Sequence, residues 1–437
     1  MKTGNEAKAA LAVLIAINIL NFYDRNVTGA LAEPVRKEFH LNDTQIGLLG
    51  SAFIWLYALV GVPLGNFADR ASRKKILAAG MVVWSVLTAS TALAATYAML
   101  LFTRLGFAVG EAAVAPTATS WIGDLFPASK RAAPLALFMI GVPIGGACAY
   151  FFSGPIAQTY GWRTAMVVAA APALLLVPLL LGLREPQRGA AETHREASPT
   201  GFAAMLTVAR VPTLWWIIAS GALLNFNMYA LGTFVPAFLS RIHGVSLARS
   251  GIDTGITYAI GGIAGSLLAG WLGDRVILRS KNGRLLWAGG IMLIGAPASY
   301  FGIVAGDVLM AVVFLTFSYA TLCSYYGLVY SAIQDIVAPA MRGTAMAIYF
   351  MAMYLCGASF GPLLTGRLSD MMARRAADAA GSAVVTEAFK AVGLQQAMLI
   401  MPILAVVLAG VLYCGSRTIG RDMAKREVAA RQALAGA

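Results

Sequence analysis

The chain has 437 residues, of which 59% are hydrophobic and 12% are charged. Soluble domains carry about 25% charged residues, so this composition excludes an ordinary soluble protein as well as a disordered chain. The net charge of +13 does not indicate a nucleic-acid-binding face, because the Lys and Arg residues lie in short clusters between long apolar segments. We therefore expect an integral membrane protein that has no nucleic-acid partner.

Twelve apolar segments are long enough to cross a bilayer, which takes roughly 20 residues in a helix. In chain order, spans 1–6 are residues 8–32, 43–68, 75–95, 97–122, 131–157 and 164–183, and spans 7–12 are residues 211–239, 249–273, 285–304, 308–334, 342–369 and 395–416. The first span is not a cleaved secretory signal, since Asp24 and Arg25 lie before its apolar run is finished. The pattern predicts an all-α membrane protein.

The two halves of the chain repeat each other. GNFADR at Gly65–Arg70 corresponds to GWLGDR at Gly270–Arg275, and Asp124 corresponds to Asp335. Parallel repeats of six spans are typical of two-domain transporters, in which the substrate binds at the repeat interface. We predict an N-terminal six-helix bundle (residues 1–183), a linker loop (residues 184–210) and a C-terminal six-helix bundle with a tail (residues 211–437).

The positions of the cations predict the orientation. Most of the 33 Lys and Arg residues lie in the two tails and in the connections from even-numbered to odd-numbered spans. Cytoplasmic loops are enriched in Lys and Arg, so both termini and the linker are expected on the cytoplasmic side. Short tails and an Ala-rich composition favour a bacterial inner membrane.

No catalytic or metal-binding constellation is present in the sequence. His40, His194 and His243 fall in separate loops, and each of the four Cys residues stands alone in an apolar segment. A GxxxxGK[ST] phosphate-binding loop is also absent, which argues against ATP as the energy source. An integral-membrane lipid enzyme and a receptor or scaffold are therefore less favoured than a transporter without cofactor or metal, driven by a proton gradient.

Four ionisable residues stand out in the interior of predicted spans, where a charge costs at least about 2.5 kcal/mol unless it is paired or faces water. Asp24 and Arg25 are on span 1, and Arg104 and Glu111 are on span 4. Arg104 and Glu111 are close to two helical turns apart and so share one face. The helical rise places Asp24 and Arg104 at about the same depth, which allows a contact between them and leaves Glu111 nearer the membrane centre.

Glu111 is the first candidate for a proton-carrying group, together with Asp24. Burial favours the protonated form of a carboxyl group, whereas a nearby arginine favours the ionised form, so a helix movement can change proton occupancy. We hypothesise that protonation of Glu111 releases Arg25 or Arg104, which then binds an anionic substrate headgroup.

The second half offers polar and aromatic groups but no charge at depth. They include Asn225, Asn227 and Tyr229 on span 7, Tyr319, Tyr326 and Tyr330 on span 10, and Tyr354 on span 11. We take Asn225, Asn227, Tyr319 and Tyr326 as candidate substrate contacts. Ordinary helix packing is the alternative for many of these residues. A site charged on one side and aromatic on the other suits an amphipathic cargo.

Several of these motifs resemble a known family. GNFADRASRKK at Gly65–Lys75 resembles the loop between spans 2 and 3 of the major facilitator superfamily. NFYDR at Asn21–Arg25, together with Arg104 and Glu111, resembles the spinster-like lipid transporters, although anion:cation symporters of the same superfamily share a similar pattern. The resemblance implies the major facilitator fold, with twelve helices in two bundles that work by alternating access.

Charges at the predicted inner helix ends are candidate gates. The resemblance implies that Asp69 meets the start of span 11 near Arg342. The pair Asp124 and Arg131, and the corresponding pair Asp335 and Arg342, lie at inner helix ends and could exchange salt bridges between states. The complete set of candidate gating residues is Asp69, Arg70, Arg73, Asp124, Arg131, Asp335 and Arg342.

The sequence thus predicts a secondary active transporter rather than an enzyme. Its expected cargo is a lysophospholipid or a sphingoid lipid such as sphingosine phosphate, moved by alternating access with proton linkage. The alternative is a proton or cation symporter for a small organic anion such as a hexuronate. The expected partners are this small-molecule substrate, protons and the surrounding lipids, and we expect a monomer.

Overall fold

A computed structural model of the chain describes residues 4–68, 71–127, 130, 132–187, 202–277, 280–338 and 341–435, and every element among them is helical. The helices are α1 (Gly4–Ala30), α2 (Ala32–Glu38), α3 (Asp43–Ala68), α4 (Arg73–Thr91), α5 (Tyr97–Ala112), α6 (Val114–Leu125), α7 (Ala132–Tyr160), α8 (Trp162–Gly182), α9 (Phe202–Ala209), α10 (Pro212–His243), α11 (Leu247–Ile256), α12 (Gly262–Ile277), α13 (Gly283–Val304), α14 (Val308–Ile336), α15 (Arg342–Met353), α16 (Gly361–Ala379), α17 (Glu387–Met398) and α18 (Ile400–Ala435).

Eleven helical segments of the described residues are long and apolar enough to cross a membrane. The remaining predicted span, span 3, is occupied by α4, which begins with Arg73, Lys74 and Lys75 and is less apolar on average for that reason. With α4 included, each of the twelve predicted spans contains a helix. The predicted all-α membrane fold is confirmed.

Several spans are interrupted among the described residues; span 12, for example, is divided at Leu399 between α17 and α18. Span 4 divides into α5 and α6 at Ala113, because the ring of Pro116 hinders the carbonyl four residues earlier and removes a hydrogen-bond donor. Span 8 contains a π-helical turn at Thr257–Gly261, and span 11 contains one at Tyr354–Ala358. Such turns are rare and are frequently found at functional sites.

Short turns close the connections at one end of the helices. Gly161, Gly244 and Gly381 have φ values of +82°, +65° and +65°, a conformation that only glycine adopts without strain. At the start of α3, Gln45 N–H donates to Asn42 Oδ1 at 2.8 Å and Asn42 N–H donates to Gln45 Oε1 at 3.0 Å. This reciprocal pair caps the helix.

The chain divides into two compact units. The first contains residues 1–195 and 232–259, and the second contains residues 196–231 and 260–437. These units follow the two sequence halves except for residues 232–259, the end of α10 and the beginning of span 8, which we call the span 7–8 hairpin. Within the first unit, this hairpin packs closely on the other helices: Gly232 lies against Gly29 of α1, and Gly251 lies against Gly154 of α7.

In the second unit, the end of α18 is fastened to neighbouring helices. The buried Asp422 carboxylate accepts hydrogen bonds from the backbone N–H and the hydroxyl of Thr213, at 3.0 and 2.6 Å. A carboxylate at this position caps the start of α10 and complements the helix dipole. Arg426 donates to the carbonyl of Asp335 at 2.8 Å. The C-terminal part of α18 therefore belongs to the folded unit.

Candidate functional site

A four-charge cluster lies in the interior of the first unit. Helix α1 contributes Asp24 and Arg25, and α5 contributes Arg104 and Glu111; Asp24 and Glu111 are 0% exposed. Arg25 donates from Nε and Nη2 to Glu111 Oε2 at 3.1 and 2.9 Å, which makes a buried salt bridge. Arg104 Nη2 donates to the backbone carbonyl of Arg25 at 3.4 Å. The cluster contains two cations and two anions, so its formal charges balance.

The pairing inside this cluster differs from the expected one. Depth alone allowed Asp24 to contact Arg104 and left Glu111 away from the cations, whereas the structure pairs Glu111 with Arg25. Consecutive residues of an α-helix point about 100° apart, so Asp24 and Arg25 are directed to different sides of α1. The long Arg25 side chain reaches Glu111, while neither oxygen of Asp24 has a hydrogen-bond partner among the described residues.

Aromatic rings of α3 and α5 surround the two guanidinium groups. The Phe53 ring centroid lies 5.2 Å from Arg25 Cζ and 5.4 Å from Arg104 Cζ. Tyr57 lies 4.6 Å from Arg25, and Phe107 lies 4.6 Å from Arg104. Cation–π contacts of this kind contribute about 0.5–2 kcal/mol each. Sequence reasoning missed Phe53, because one aromatic residue in a uniformly apolar span carries no signal of its partners.

The candidate residues of the second unit do not form one cluster. Asn225 donates to Met353 Sδ at 3.2 Å and accepts from the Tyr326 hydroxyl at 3.2 Å, so spans 7, 10 and 11 meet there. Asn227 faces another helix and donates to the carbonyl of Met401 on α18 at 3.3 Å. Tyr319 is 5% exposed and packs against the backbone of Gly261. Of the four, the structure joins Asn225 and Tyr326 by a hydrogen bond.

Further tyrosines extend the contact between Asn225 and Tyr326. The rings of Tyr326 and Tyr330 are 5.4 Å apart, and those of Tyr229 and Tyr354 are 6.3 Å apart. Tyr354 begins the π-helical turn of span 11, which the sequence pattern did not indicate. We call Tyr229, Tyr326, Tyr330 and Tyr354 the tyrosine cluster; all four are partly exposed. It offers aromatic and hydroxyl groups without a formal charge.

The candidate gating residues Asp124 and Asp335 each have an arginine partner that the sequence analysis did not assign to them. Arg73 donates to Asp124 at 2.5 Å, and Arg284 forms the corresponding ion pair with Asp335. Both pairs are 51 residues apart, so they are related by the internal repeat. The expected partners were Arg131 and Arg342. The observed pairs join neighbouring antiparallel helices, α4 with α6 and α13 with α14, rather than residues near in sequence.

Some of the predicted gates are not placed. Asp69, Arg70 and Arg131 lie outside the described residues. Arg342 begins α15, and its Nε is buried without a hydrogen-bond partner among the described residues. The predicted contact between Asp69 and the start of span 11 therefore stays a prediction.

Glu185, at the start of the linker, caps α4 and was missed by sequence reasoning. Its carboxylate accepts from the Ser72 hydroxyl at 2.6 Å and from the Arg73 backbone N–H at 2.9 Å. Partial burial acts to raise the pKa of Glu185, but the hydrogen bonds from Ser72, Arg73 and Lys74 outweigh it and hold this pKa below its usual value. Arg73 is thereby held between Asp124 and Glu185.

At the opposite end of the first unit lies a second charge cluster that no motif indicated. Arg241 of the span 7–8 hairpin donates to both Asp43 oxygens at 2.9 Å and to Glu33 Oε2 at 2.8 Å. Arg36 also donates to Glu33, at 2.8 Å. These four side chains, at most 6% exposed, form the far-end salt-bridge cluster.

The protonation state of Glu33 in this cluster is fixed by the arginines. Burial acts to raise the pKa of Glu33, but the hydrogen bond from Arg36 and the charge of Arg241 outweigh it, and the pKa of Glu33 is lowered. Glu33 is therefore ionised at neutral pH, and Arg241 joins the hairpin to α2 and α3 through two carboxylates.

Comparison with known proteins gives consistent results for sequence and fold. The Major Facilitator Superfamily profile matches residues 14–362. The chain is 34% identical over 370 residues to an MFS-type efflux pump of Mycolicibacterium smegmatis, covering 84% of this chain and 85% of that protein. It is 28% identical over 389 residues to human protein spinster homolog 1, covering 83% of this chain and 73% of that protein. A bacterial homologue of the human lysosomal transporter Spinster, in an inward-facing and unoccupied conformation, superposes with a TM-score of 0.87 at 28% identity, covering 96% of this chain and 99% of that one.

Proposed function

Because the chain belongs to the Major Facilitator Superfamily and is spinster-like within it, we propose that it is a proton-linked secondary transporter of an amphipathic lipid. The cargo class is a lysophospholipid or a sphingoid lipid such as sphingosine phosphate, moved by alternating access. The single observation that carries the mechanism is the buried salt bridge between Arg25 and Glu111.

The Arg25–Glu111 salt bridge supports coupling between a proton and an anion. Arg25 binds one oxygen of Glu111, and the other oxygen, Oε1, is buried without a hydrogen-bond partner among the described residues. Protonation of Glu111 removes the charge that holds Arg25. Arg25 and Arg104, which share the Phe53 ring, then supply cations for a phosphate or carboxylate group.

The tyrosine cluster supports an amphipathic rather than a uniformly polar cargo. Its rings provide apolar contact area, and its hydroxyl groups can donate to or accept from a substrate. A sugar acid would need hydrogen-bonding groups on all sides. This argument favours a molecule with one charged head and one apolar chain.

Alternating access requires contacts that form and break at the two ends of the helices. We assign the repeat-related pairs Arg73–Asp124 and Arg284–Asp335 to one end and the far-end salt-bridge cluster to the other. In the proposed cycle, the far-end cluster opens when the substrate path opens on that side. With the cation distribution of the loops, this proposal places both termini in the cytoplasm of a bacterial cell, with a monomer as the working unit.

The second candidate function is a proton or cation symporter for a small organic anion. Arg104 favours it, because its Nε is buried without a hydrogen-bond partner among the described residues and its guanidinium could receive a carboxylate. The tyrosine cluster is what distinguishes the two proposals, since a hexuronate has no apolar part to place on it.

The test is uptake by proteoliposomes that contain the purified protein. Lysophospholipids, sphingosine phosphate and hexuronates are presented with and without a pH gradient, and Arg104→Ala serves as the inactive control. We expect saturable uptake of a lipid that increases with the gradient. Uptake of hexuronates alone would support the second candidate, and uptake of no substrate by wild type and Arg104→Ala alike would contradict both.

A further inference from the structure

The carboxyl group of Asp24 is left without a protein partner by the pairing described above. It is 0% exposed, and neither oxygen accepts a hydrogen bond from a described residue. An ionised carboxylate that is buried without donors is strongly disfavoured, so such groups are protonated, paired or hydrated. A neighbouring group must therefore determine whether the Asp24 carboxyl group is protonated, paired or hydrated.

The indole of Trp84 on α4 is the group placed to do so. Its N–H interacts with the Asp24 carboxyl group, but the two groups do not meet the geometry of a direct hydrogen bond, and this N–H has no other acceptor among the described residues. Trp84 is 0% exposed. A polar contact across such a gap is commonly closed by one water molecule.

Close helix packing fixes the position of Trp84. Gly110 of α5 lies directly against α4: a Cβ atom at Gly110 would come within 2.8 Å of the Gly80 carbonyl oxygen and of the Trp84 backbone nitrogen. The backbone of Trp84 therefore lies directly against α5. Because Glu111 follows Gly110, Trp84 packs beside the part of α5 that carries Glu111.

Most other polar groups near Asp24 already have hydrogen-bond partners within the protein. On α5, Arg104 donates to the Arg25 carbonyl, and Glu111 accepts from Arg25. On α1, the Tyr23 hydroxyl pairs with Ser153 of α7 at 3.1 Å. From α7, the thiol of Cys148 lies close enough to Tyr23 to interact with it. The Trp84 N–H and the Arg104 Nε are two of the buried donors that have no hydrogen-bond partner among the described residues.

We propose that Trp84 is a positioning residue for Asp24, with its indole N–H joined to the carboxyl group through one buried water molecule. Two Asp24 oxygens, the Trp84 N–H and the Arg104 Nε give that water the two to four partners that buried waters require. The proposal rests on the proton linkage described under the proposed function, and it adds span 3 to the residues that control it.

The test compares Trp84→Phe with Trp121→Phe. Both tryptophans are 0% exposed and have an unpartnered Nε1, but Trp121 lies on α6 away from the Asp24 contact, so it is a matched control. The readout is the infrared carboxyl band of Asp24 in reconstituted protein, assigned by its loss in Asp24→Asn and followed over pH. The uptake rate is measured over the same pH range.

We expect Trp84→Phe to shift the Asp24 band and to move its titration midpoint upward by about one pH unit, since a donor to the charged form is lost. The optimum of the uptake profile should move with it. Trp121→Phe should leave the band and the profile as in wild type. An unshifted band in Trp84→Phe, or an equal shift in both variants, would overturn the proposal.

A second measurement covers the case in which Trp84→Phe does not fold. The resonance Raman marker of indole hydrogen bonding is compared between wild type and Asp24→Ala, which leaves Trp84 in place. Loss of one hydrogen-bonded indole is expected, and an unchanged marker would refute the contact. If wild-type uptake does not depend on the pH gradient while Trp84→Phe still shifts the infrared band of Asp24, the proposed proton linkage is wrong and the proposed Trp84 contact is supported.

Discussion

At the scale of single residues, Glu111 is the carboxyl group whose proposed protonation would remove the charge that holds Arg25. Glu111→Gln keeps the size of the side chain but removes the charge that holds Arg25. We expect uptake to slow at least tenfold and to lose its dependence on the pH gradient, because Arg25 is then held equally at every pH. Initial uptake rates at several pH values, with and without a gradient, measure the effect.

The control for this variant is Glu38→Gln. Glu38 is half exposed and bonds Arg163 and Trp162 far from the cluster, so its loss should leave uptake unchanged. The folded state of both variants is checked by thermal unfolding in detergent. A Glu111→Gln protein with the pH dependence of wild type would show that the salt bridge is only structural.

At the scale of elements, the span 7–8 hairpin is held to the first unit by the far-end salt-bridge cluster. Removing one partner of a buried ion pair costs about 3–5 kcal/mol, because the remaining charges are left without compensation. Arg241→Gln should therefore loosen the hairpin. Arg241→Lys should have an intermediate effect, since a lysine keeps the charge but cannot bind Asp43 with two nitrogens.

A disulfide pair placed at the hairpin measures this loosening. The Gln158 side chain accepts from the Ala248 backbone at 2.8 Å, so Gln158→Cys with Ala248→Cys, in a chain without its native cysteines, should cross-link when the hairpin is packed. Adding Arg241→Gln should slow the cross-linking at least tenfold. Unchanged cross-linking would mean that the glycine contacts alone hold the hairpin.

The same cross-link tests the response of the hairpin to pH. The pKa of Glu33 is lowered in the folded protein, so its stabilising contribution is complete above the usual glutamate pKa and is lost as the pH falls through the lower folded value. We expect constant cross-linking from neutral pH to about pH 5 and a decrease below about pH 4. A decrease between pH 8 and pH 6 would instead make this cluster a proton sensor.

At the scale of the whole molecule, the internal repeat gives two equivalent arginines with unequal surroundings. Arg73 binds Asp124, Glu185 and the Pro186 carbonyl, whereas Arg284 forms an ion pair with Asp335. We expect Arg73→Gln to lower the thermal unfolding temperature more than Arg284→Gln, because more buried contacts are lost. Unfolding followed by intrinsic fluorescence compares them, and equal effects would show that Glu185 contributes little to the linker attachment.

The sequence by itself determined the class of fold, the spans and the charged residues of the core. Long apolar segments have no other stable state in a bilayer, and Asp24, Arg25, Arg104 and Glu111 stand out because ionisable residues are rare at that depth. The repeat of Asp124 at Asp335 was also visible, because it needs only the order of residues. None of these inferences required knowledge of which helices are neighbours.

Only the tertiary structure decided which charges pair. Depth along a helix can be read from residue number, but direction around the helix depends on packing, so the structure alone shows that Arg25 forms the ion pair with Glu111 of α5. The pairs Arg73–Asp124 and Arg284–Asp335 also join neighbouring helices, which the order of residues does not reveal. The contact of Arg241 with Asp43 joins segments distant in the chain, and no local pattern specifies where such segments meet.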